Sequence, residues 1–386
     1  MKILQVHNYY QEAGGEDSVV LNEKNMLESA QHKVSQYTVN NDVIRTVYDK
    51  LSAAYNISYS QHSKERFLEH LRKELPDVVH VHNFFPLLTP SIFDACVEAN
   101  VPSVLTLHNY RLLCPGGFLM RDGKICEDCI GASAYQAVLH GCYRRSRLET
   151  IPVSHMVMHH RKKNTWNKKV DAFIALTNLA KSKFTESGIS EEKIHVKPNF
   201  VDDPFNGCFE NNTNRNGALY VGRLSEEKGI KTLLNAWQDV SYPLRIVGDG
   251  PLKSMVQNSN NPSIEYLGQL PAKSVSEQML QASFLVMPSE WYEGFPMVLA
   301  ESLGHGLPVV ASNIGAMKEV VRHNITGMHF DVANSDMLKQ LILDLVNNKS
   351  LLQEMSSNAH ADFLKAYSSD VNLNLLLGVY DVVCGR

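Results

Sequence analysis

No apolar run in this chain of 386 residues approaches the roughly eighteen needed to cross a bilayer as a helix. The N-terminus, Met1-Lys2-Ile3-Leu4-Gln5-Val6-His7, turns polar too soon to supply a signal peptide's apolar stretch. A basic excess is also lacking. Lys and Arg number 37 against 41 Asp and Glu, a formal charge of −4, so no global field argues for nucleic acid. Charged residues make up 20% and hydrophobic residues 44%, a balance that can fill full-sized cores, so the chain need not be disordered. The expectation is a cytoplasmic enzyme of two or three domains, at about 100–200 residues each.

Cysteine is sparse, with seven in all, and unevenly placed. Cys96, Cys208 and Cys384 are scattered, while Cys114, Cys126, Cys129 and Cys142 crowd one segment. In a reducing compartment such a cluster points to metal before disulfides.

Short β-branched runs alternate with helix-length amphipathic stretches almost throughout. Residues 2–6, 34–39, 78–81, 104–107 and 172–175 read as buried strands, with helical patterns at 18–30, 64–75 and 179–186. The rhythm restarts with strands at 219–221, 244–247, 264–266, 284–287 and 309–311. Strands alternating with helices call for a parallel sheet with helices on both faces. The fold class expected is α/β, two doubly wound Rossmann-like domains facing a cleft. An N-terminal domain over 1–200 carries a Cys-rich insertion at about 111–143. An Asn-rich linker at 201–216 leads to a second domain at 217–365, and 366–386 reads as a helix that packs back on the first. Ligands of such sheets bind outside the carboxyl ends of the strands.

The motifs lie at those ends. Ala13-Gly14-Gly15-Glu16 follows the first strand and opens a helix, where glycines and free N–H donors suit an anion; a flexible connection is the alternative. Gly222-Arg223-Leu224-Ser225-Glu226-Glu227-Lys228-Gly229 follows the first strand of the second half. Ser225 is the expected N-cap, which puts Lys228 in the first helical turn. A cation sits poorly there unless an anion binds beside it, and Arg223 offers a bidentate fork to the same anion. Two solvated cations beside Glu226 and Glu227 are the alternative. Gly248-Asp249-Gly250-Pro251 ends the next strand, with Pro251 suited to a first helical position.

Glu290-Trp291-Tyr292-Glu293-Gly294-Phe295-Pro296-Met297-Val298-Leu299-Ala300-Glu301 follows the strand at 284–287. Pro296 fits the first turn of a helix carrying Glu301, which leaves Glu293 in the loop before it. The two carboxylates then reach different parts of one ligand. Backbone N–H groups near Phe295, Pro296 and Met297 meet its phosphate or sugar oxygens.

Taken in this order, the Gly-Arg-Leu-x-x-x-Lys-Gly element, the Gly-x-Gly-Pro turn and the glutamate pair resemble glycosyltransferase family 4. These are retaining, sugar-nucleotide-dependent enzymes of GT-B fold, with a two-glutamate EX7E motif. The resemblance covers nearly the whole chain. It implies that Arg223 and Lys228 hold the donor diphosphate, that Glu301 bonds the nucleotide ribose and that Glu293 lies beside the donor sugar. Gly222, Gly248 and Gly250 fall in the donor site, and Gly14 and Gly15 match the family's N-terminal glycine loop. His108, ending the strand at 104–107, matches a histidine often placed over the donor sugar; a structural histidine is the alternative. His82 and His80 are weaker candidates, because strand alternation is expected to turn them to different environments.

The reaction implied is retaining transfer of a sugar from a nucleoside diphosphate to an acceptor hydroxyl by front-face attack. Arg223 and Lys228 stabilise the departing diphosphate, so no protein nucleophile and no catalytic metal are expected. The acceptor expected is a saccharide or lipid-linked saccharide of envelope, capsule or O-antigen synthesis. A sugar-nucleotide epimerase and a non-catalytic nucleotide-sugar-binding protein are the rival readings.

Two segments stand outside that chemistry. Cys126-Glu127-Asp128-Cys129, with Cys114 and Cys142, supplies four thiolates for structural zinc; free structural cysteines are the alternative. Residues 143–169 carry Arg144, Arg145, Arg147, Arg161, Lys162, Lys163, Lys168 and Lys169 against the single acid Glu149, with Met156, Val157 and Trp166 interleaved. They read as a basic amphipathic surface for anionic lipid, on the inner face of the cytoplasmic membrane, or as a solvated charged face.

Overall fold

The computed structural model describes residues 1–11, 14–212 and 214–385. The chain divides into two units. The first comprises Met1–Arg121, Cys126–Pro198 and the chain from Asn372 onward; the second comprises Asn199–Val371 with Asp122–Ile125.

The first unit holds the strands β1 (Lys2–Tyr9), β2 (Lys33–Asn40), β3 (Val78–Val81), β4 (Ser103–Leu107), β7 (Ala172–Ala175) and β8 (Ile194–Val196), in the order β2-β1-β3-β4-β7-β8 and all parallel. A hairpin of β5 (Met120–Arg121) and β6 (Lys124–Ile125) stands apart from this sheet. Ile3, Leu4 and Val6 of β1 are all buried, as expected of a central parallel strand covered on both faces. Helices supply the cover. Gln61–Glu74 starts at Ser60, whose hydroxyl accepts from the Ser63 N–H at 3.1 Å. It buries Phe67, Leu68 and Leu71, worth about 2 kcal/mol each in apolar transfer.

The second unit holds β9 (Ala218–Val221), β10 (Leu244–Val247), β11 (Ile264–Gly268), β12 (Phe284–Met287), β13 (Val309–Ser312) and β14 (Gly327–Phe330), again all parallel. Their order, β11-β10-β9-β12-β13-β14, is that of a dinucleotide-binding sheet, with the order reversing between β9 and β12. Trp237, Phe284 and Phe330 are fully buried in its core, and the Trp237 indole N–H donates to the Tyr242 carbonyl at 2.9 Å.

Every strand read from the sequence is present. Missed were β8 and β14, the edge strands of their sheets, and the short hairpin. Ile-His-Val and Gly-Met-His-Phe lack the continuous apolar character of a strand buried on both faces.

Residues 143–169 require a correction. They form the helices Arg147–Lys163 and Thr165–Lys169, but Met156, Val157 and Trp166 are buried. Trp166 packs against Phe84 and Phe93, so it is a core residue and not an interfacial anchor. Three of the cations are also engaged: Arg161 donates to the Cys129 carbonyl at 3.0 Å, Lys169 pairs with Asp94, and Arg144 lies 3.7 Å from Glu149. Among the described residues, no helix is long and apolar enough to cross a membrane.

Candidate active site

The carboxyl ends of β9 and β12, at the switch point of the second sheet, bring the basic element and the first glutamate together. Residues 226–228 form a 3₁₀ turn, and the α-helix starts only at Ile230. Lys228 therefore ends that turn and does not occupy a first α-helical turn. Ser225 makes no cap; its hydroxyl donates to Glu227 Oε1 at 2.5 Å. The break comes at Gly229, which has φ 71° and whose hypothetical Cβ would meet the Pro288 carbonyl oxygen at 1.8 Å. Only glycine allows this approach of the two loops, which the Glu290 N–H completes by donating to the Glu227 carbonyl at 2.8 Å.

Lys228 Nζ lies 2.6 Å from Glu293 Oε1 and 5.6 Å from the centre of the Trp291 ring. The Ser289 hydroxyl donates to the same Oε1 at 2.8 Å. Glu293 is buried in the loop after β12. Neighbouring Glu290 is fixed by the Thr232 hydroxyl at 2.6 Å. Arg223 is exposed, and its carbonyl accepts from the Tyr220 hydroxyl at 2.8 Å. A Cβ on Gly248 would meet the Gly222 carbonyl oxygen at 1.9 Å, so glycine lets the β9 and β10 loops touch. Leu224 and Asp249 join them through a backbone bond of 2.9 Å. Gly250 follows in the same loop. Pro251 lies in a turn before the helix Lys253–Gln257, two residues short of the helical position expected for it.

Pro296 caps the helix Met297–Gly304 without a side-chain hydrogen bond, which leaves the first N–H groups as donors. Phe295 is buried and packs near Tyr367 at 5.7 Å. Glu301, one turn into the helix, has a carboxyl pKa raised by burial alone. No protein partner for that carboxylate exists among the described residues. Glu301 is half-buried, so its carboxylate keeps some contact with water and is open to hydrogen-bond donors from a ligand.

In the first unit, Ala13 lies outside the described residues. Gly14 is the N-cap of the helix Gly15–Ser29, and its N–H donates to Asp17 Oδ2 at 3.0 Å. Nothing lies within 4 Å of where a Gly14 Cβ would stand, so the protein itself does not demand glycine there. Asp17 Oδ1 also meets His7 Nε2 at 2.8 Å. Burial, with the Asp17 charge added, pushes the Glu16 carboxyl up to about 8.

His108 follows β4 and stacks on His82, with Nε2 3.0 Å from His82 Nδ1. His80 and His82 do not part as alternation was expected to make them. Two residues apart, they share a face, with ring centres 4.2 Å apart. Beneath them lies a network absent from the sequence reading. Glu23 and Lys197, both fully buried, form an ion pair of 3.1 Å, and Lys197 also donates to Asn372 Oδ1 at 2.9 Å. Burial would raise the Glu23 carboxyl, but Lys197, then His80 and His82, reverse this and hold it well below the usual carboxylate range. The legible signal was Glu23's position among Val19, Val20, Met26 and Leu27 on the buried helix face, where a lone charge needs a partner.

Glu23, His80 and His82 bring ligand atoms within 4.8 Å of one another, but they do not make a cation site. Lys197 already occupies the carboxylate, and both His80 ring nitrogens are engaged, by the Tyr380 hydroxyl at 2.8 Å and the Thr106 hydroxyl at 2.7 Å.

The cysteine segment gathers around Cys129. Cys114 and Cys129 are buried, Cys126 and Cys142 half-buried. Burial, with the thiols of Cys114, Cys126 and Cys142 adding to it, pushes the Cys129 thiol up to about 12. A Cβ at Gly116 would lie 3.6 Å from Cys114 Sγ and 3.7 Å from Cys142 Cβ, which places those two cysteines around one point. No three of the four sulfurs fall within 4.8 Å of one another.

Comparison with known proteins supplies the frame. Residues 3–204 match the model of Glycosyltransferase Family 4, and residues 208–362 match that of Glycosyl transferases group 1. An uncharacterized glycosyltransferase of Methanocaldococcus jannaschii is 26% identical over 385 aligned residues, spanning 95% of this chain and 94% of that protein. An O-antigen chain mannosyltransferase of Escherichia coli is 32% identical over 145 residues, 34% of this chain and 37% of that one. Among solved structures, the Anabaena protein HepE in complex with UDP superposes with a TM-score of 0.70 at 17% identity, covering 98% of this chain and 99% of that one. The fold is thus that of the GT-B glycosyltransferases. With one family model spanning more than half of its residues, the chain belongs to glycosyltransferase family 4.

Proposed function

We propose that this protein transfers a sugar from a nucleoside-diphosphate donor to an acceptor hydroxyl with retention at the anomeric carbon. The observation that carries the reading is Glu301, a half-buried carboxylate with no protein donor among the described residues, one turn from the uncapped N-terminus of its own helix. Vicinal ribose hydroxyls supply the donors it lacks, and the free N–H groups at Met297 receive an anionic oxygen. The binding of UDP by the HepE neighbour supports a uridine nucleotide as the first to test.

In this reading Arg223 and Lys228 take the diphosphate. The bond from the anomeric carbon to the phosphate oxygen breaks, and the acceptor oxygen bonds to that carbon from the same face. The acceptor's proton passes to the departing phosphate. Glu293, held by Ser289 and Lys228, binds a sugar hydroxyl and balances the positive charge of the oxocarbenium-like state.

The acceptor is a lipid-linked saccharide of envelope polysaccharide synthesis, for which the O-antigen relative is one support. A second support is surface chemistry. Arg145 and Arg147 are exposed beside exposed Leu148 and Ile151. The helix Val47–Asn56, which touches the helix Arg147–Lys163, buries none of its residues and exposes Val47, Tyr48, Leu51 and Tyr55. Cations flanking apolar side chains suit anionic lipid. Binding to anionic but not neutral vesicles, lost in Arg145→Glu/Arg147→Glu, is expected; no binding by the parent protein removes the lipid surface. The four cysteines hold a structural zinc, supported by the C-x-x-C knuckle; binding draws their sulfurs closer than they stand.

The experiment is incubation with UDP-, GDP-, ADP- and TDP-sugars without acceptor, following nucleotide release and the anomer of the freed sugar. Release from one donor with retained configuration, abolished in Glu293→Ala, is the expected result. Conversion of the donor to an epimer makes the protein an isomerase. Nucleotide binding with no turnover, even with saccharide acceptors present, makes it a binding protein.

A further inference from the structure

The chain Glu23–His82–His108 has a direction, and that direction decides what His108 can bind. Glu23 Oε2 is taken by the Lys197 ammonium at 3.1 Å. Oε1 faces His80 Nδ1 at 3.1 Å and His82 Nε2 at 3.4 Å. Oε1 and His82 Nε2 are both buried, and neither makes a hydrogen bond of good geometry. A carboxylate only accepts, and beside Lys197 the Glu23 carboxyl is ionised. A bare ring nitrogen 3.4 Å from an ionised carboxylate oxygen would repel it, so the ring proton of His82 sits on Nε2.

His82 is neutral, its pKa pulled down to about 4, chiefly by burial. One ring proton on Nε2 leaves Nδ1 bare. His82 Nδ1 stands 3.0 Å from His108 Nε2, and two bare nitrogens at that distance would repel. His108 must put its proton on Nε2. Burial keeps His108 neutral as well, so its Nδ1 is bare. That nitrogen has no protein partner among the described residues. The ring lines a small open recess with Tyr10, Asn83, Phe85 and Arg111.

We infer that Glu23, acting through His82, fixes His108 as the Nε2–H tautomer, so that Nδ1 accepts a hydrogen bond from a saccharide hydroxyl and cannot donate to a phosphate oxygen. Glu23 and His82 are positioning residues: neither touches the hydroxyl, but together they choose which end of the imidazole is the acceptor. His80 leaves that choice intact. With Glu23 Oε1 and Tyr380 on its Nδ1 side, its Nε2 accepts from the Thr106 hydroxyl. The inference rests on the glycosyl-transfer reading only for the saccharide; the tautomer stands on the protein alone.

The test is long-range ¹H–¹⁵N correlation on the full chain labelled with ¹⁵N-histidine at neutral pH, with His108 assigned by its disappearance in His108→Gln. A protonated Nε2 and an unprotonated Nδ1 are expected, with this single form lost in Glu23→Gln and in His82→Phe. A proton on His108 Nδ1, or an imidazolium, overturns the inference. An unchanged tautomer in a folded Glu23→Gln protein also overturns it. If Glu23→Gln does not fold, His82→Phe and the parent spectrum decide. No substrate is present, so failure of sugar transfer in the donor assay leaves this result standing, and the reverse.

Discussion

Lys228 Nζ and Glu293 Oε1 stand 2.6 Å apart, although the sequence motif separates them by the whole of β10 to β12. The cation assigned to the diphosphate is thus tied to the carboxylate assigned to the sugar. In the proposed reaction a diphosphate would compete with Glu293 for Lys228, and a sugar hydroxyl would compete with Lys228 for Glu293.

That link predicts non-additive losses. Lys228→Ala and Arg223→Ala are each expected to lower kcat by about a hundredfold or more, the scale of one lost transition-state donor. Lys228→Ala combined with Glu293→Gln should lose clearly less than the product of the two single losses. Steady-state kinetics on the four proteins reads this directly, and strict additivity would separate the two roles.

Glu301→Ala is expected to act mainly on donor binding. Removing a charged hydrogen bond of about 1.5–3 kcal/mol raises the donor Kd about ten- to a hundredfold. Because burial raises the Glu301 pKa and ribose hydroxyls favour the ionised form, nucleotide binding should tighten as pH rises through that raised value. Calorimetry across pH measures both effects.

Stability should fall in mild acid. Burial pulls His82 and His160 down to about 4 from an ordinary value of 6.5. Between those values the unfolded chain takes up protons that the folded chain refuses. Stability is therefore lost as pH falls from about 6.5 to 4, by roughly 1.4 kcal/mol per pH unit per group. Urea midpoints through that window should show the slope, and His160→Gln should shallow it by about one proton.

Lys197→Met should destabilise the fold by about 3–5 kcal/mol, because it strands the Glu23 carboxylate in the interior. With its cation gone, Glu23 takes up a proton more readily, so the deficit relative to the parent should shrink as pH falls. Thermal melts of both proteins at neutral and acidic pH test the sign as well as the size.

Purification without chelator should yield about one zinc per chain, and Cys126→Ser and Cys129→Ser should each lose the metal and melt at lower temperature. Elemental analysis showing no zinc would leave the cysteines as free thiols.

Much of the fold was legible because parallel strands covered on both faces are short, mostly apolar and β-branched runs. The runs at 78–81, 172–175, 244–247 and 284–287 coincide with β3, β7, β10 and β12 to the residue. The edge strands β8 and β14 escaped because they are short and half-buried, with His195 and His329 in them and Gly327 set by its close approach to Val309. Trp166 misled for a related reason: a helix carrying many cations looks amphipathic toward lipid, yet its apolar stripe faces the domain's own core.

The sequence by itself determined the two sheets, the glycines that turn their loops, and the order of charged residues at the strand ends, because each is a local matter of periodicity and backbone freedom. Only the tertiary structure decided which of those charges meet. Glu23 and Lys197 are 174 positions apart, and Lys228 and Glu293 are 65 apart. No periodicity reaches across such separations, and a hydrogen bond needs partners placed to within a few tenths of an ångström.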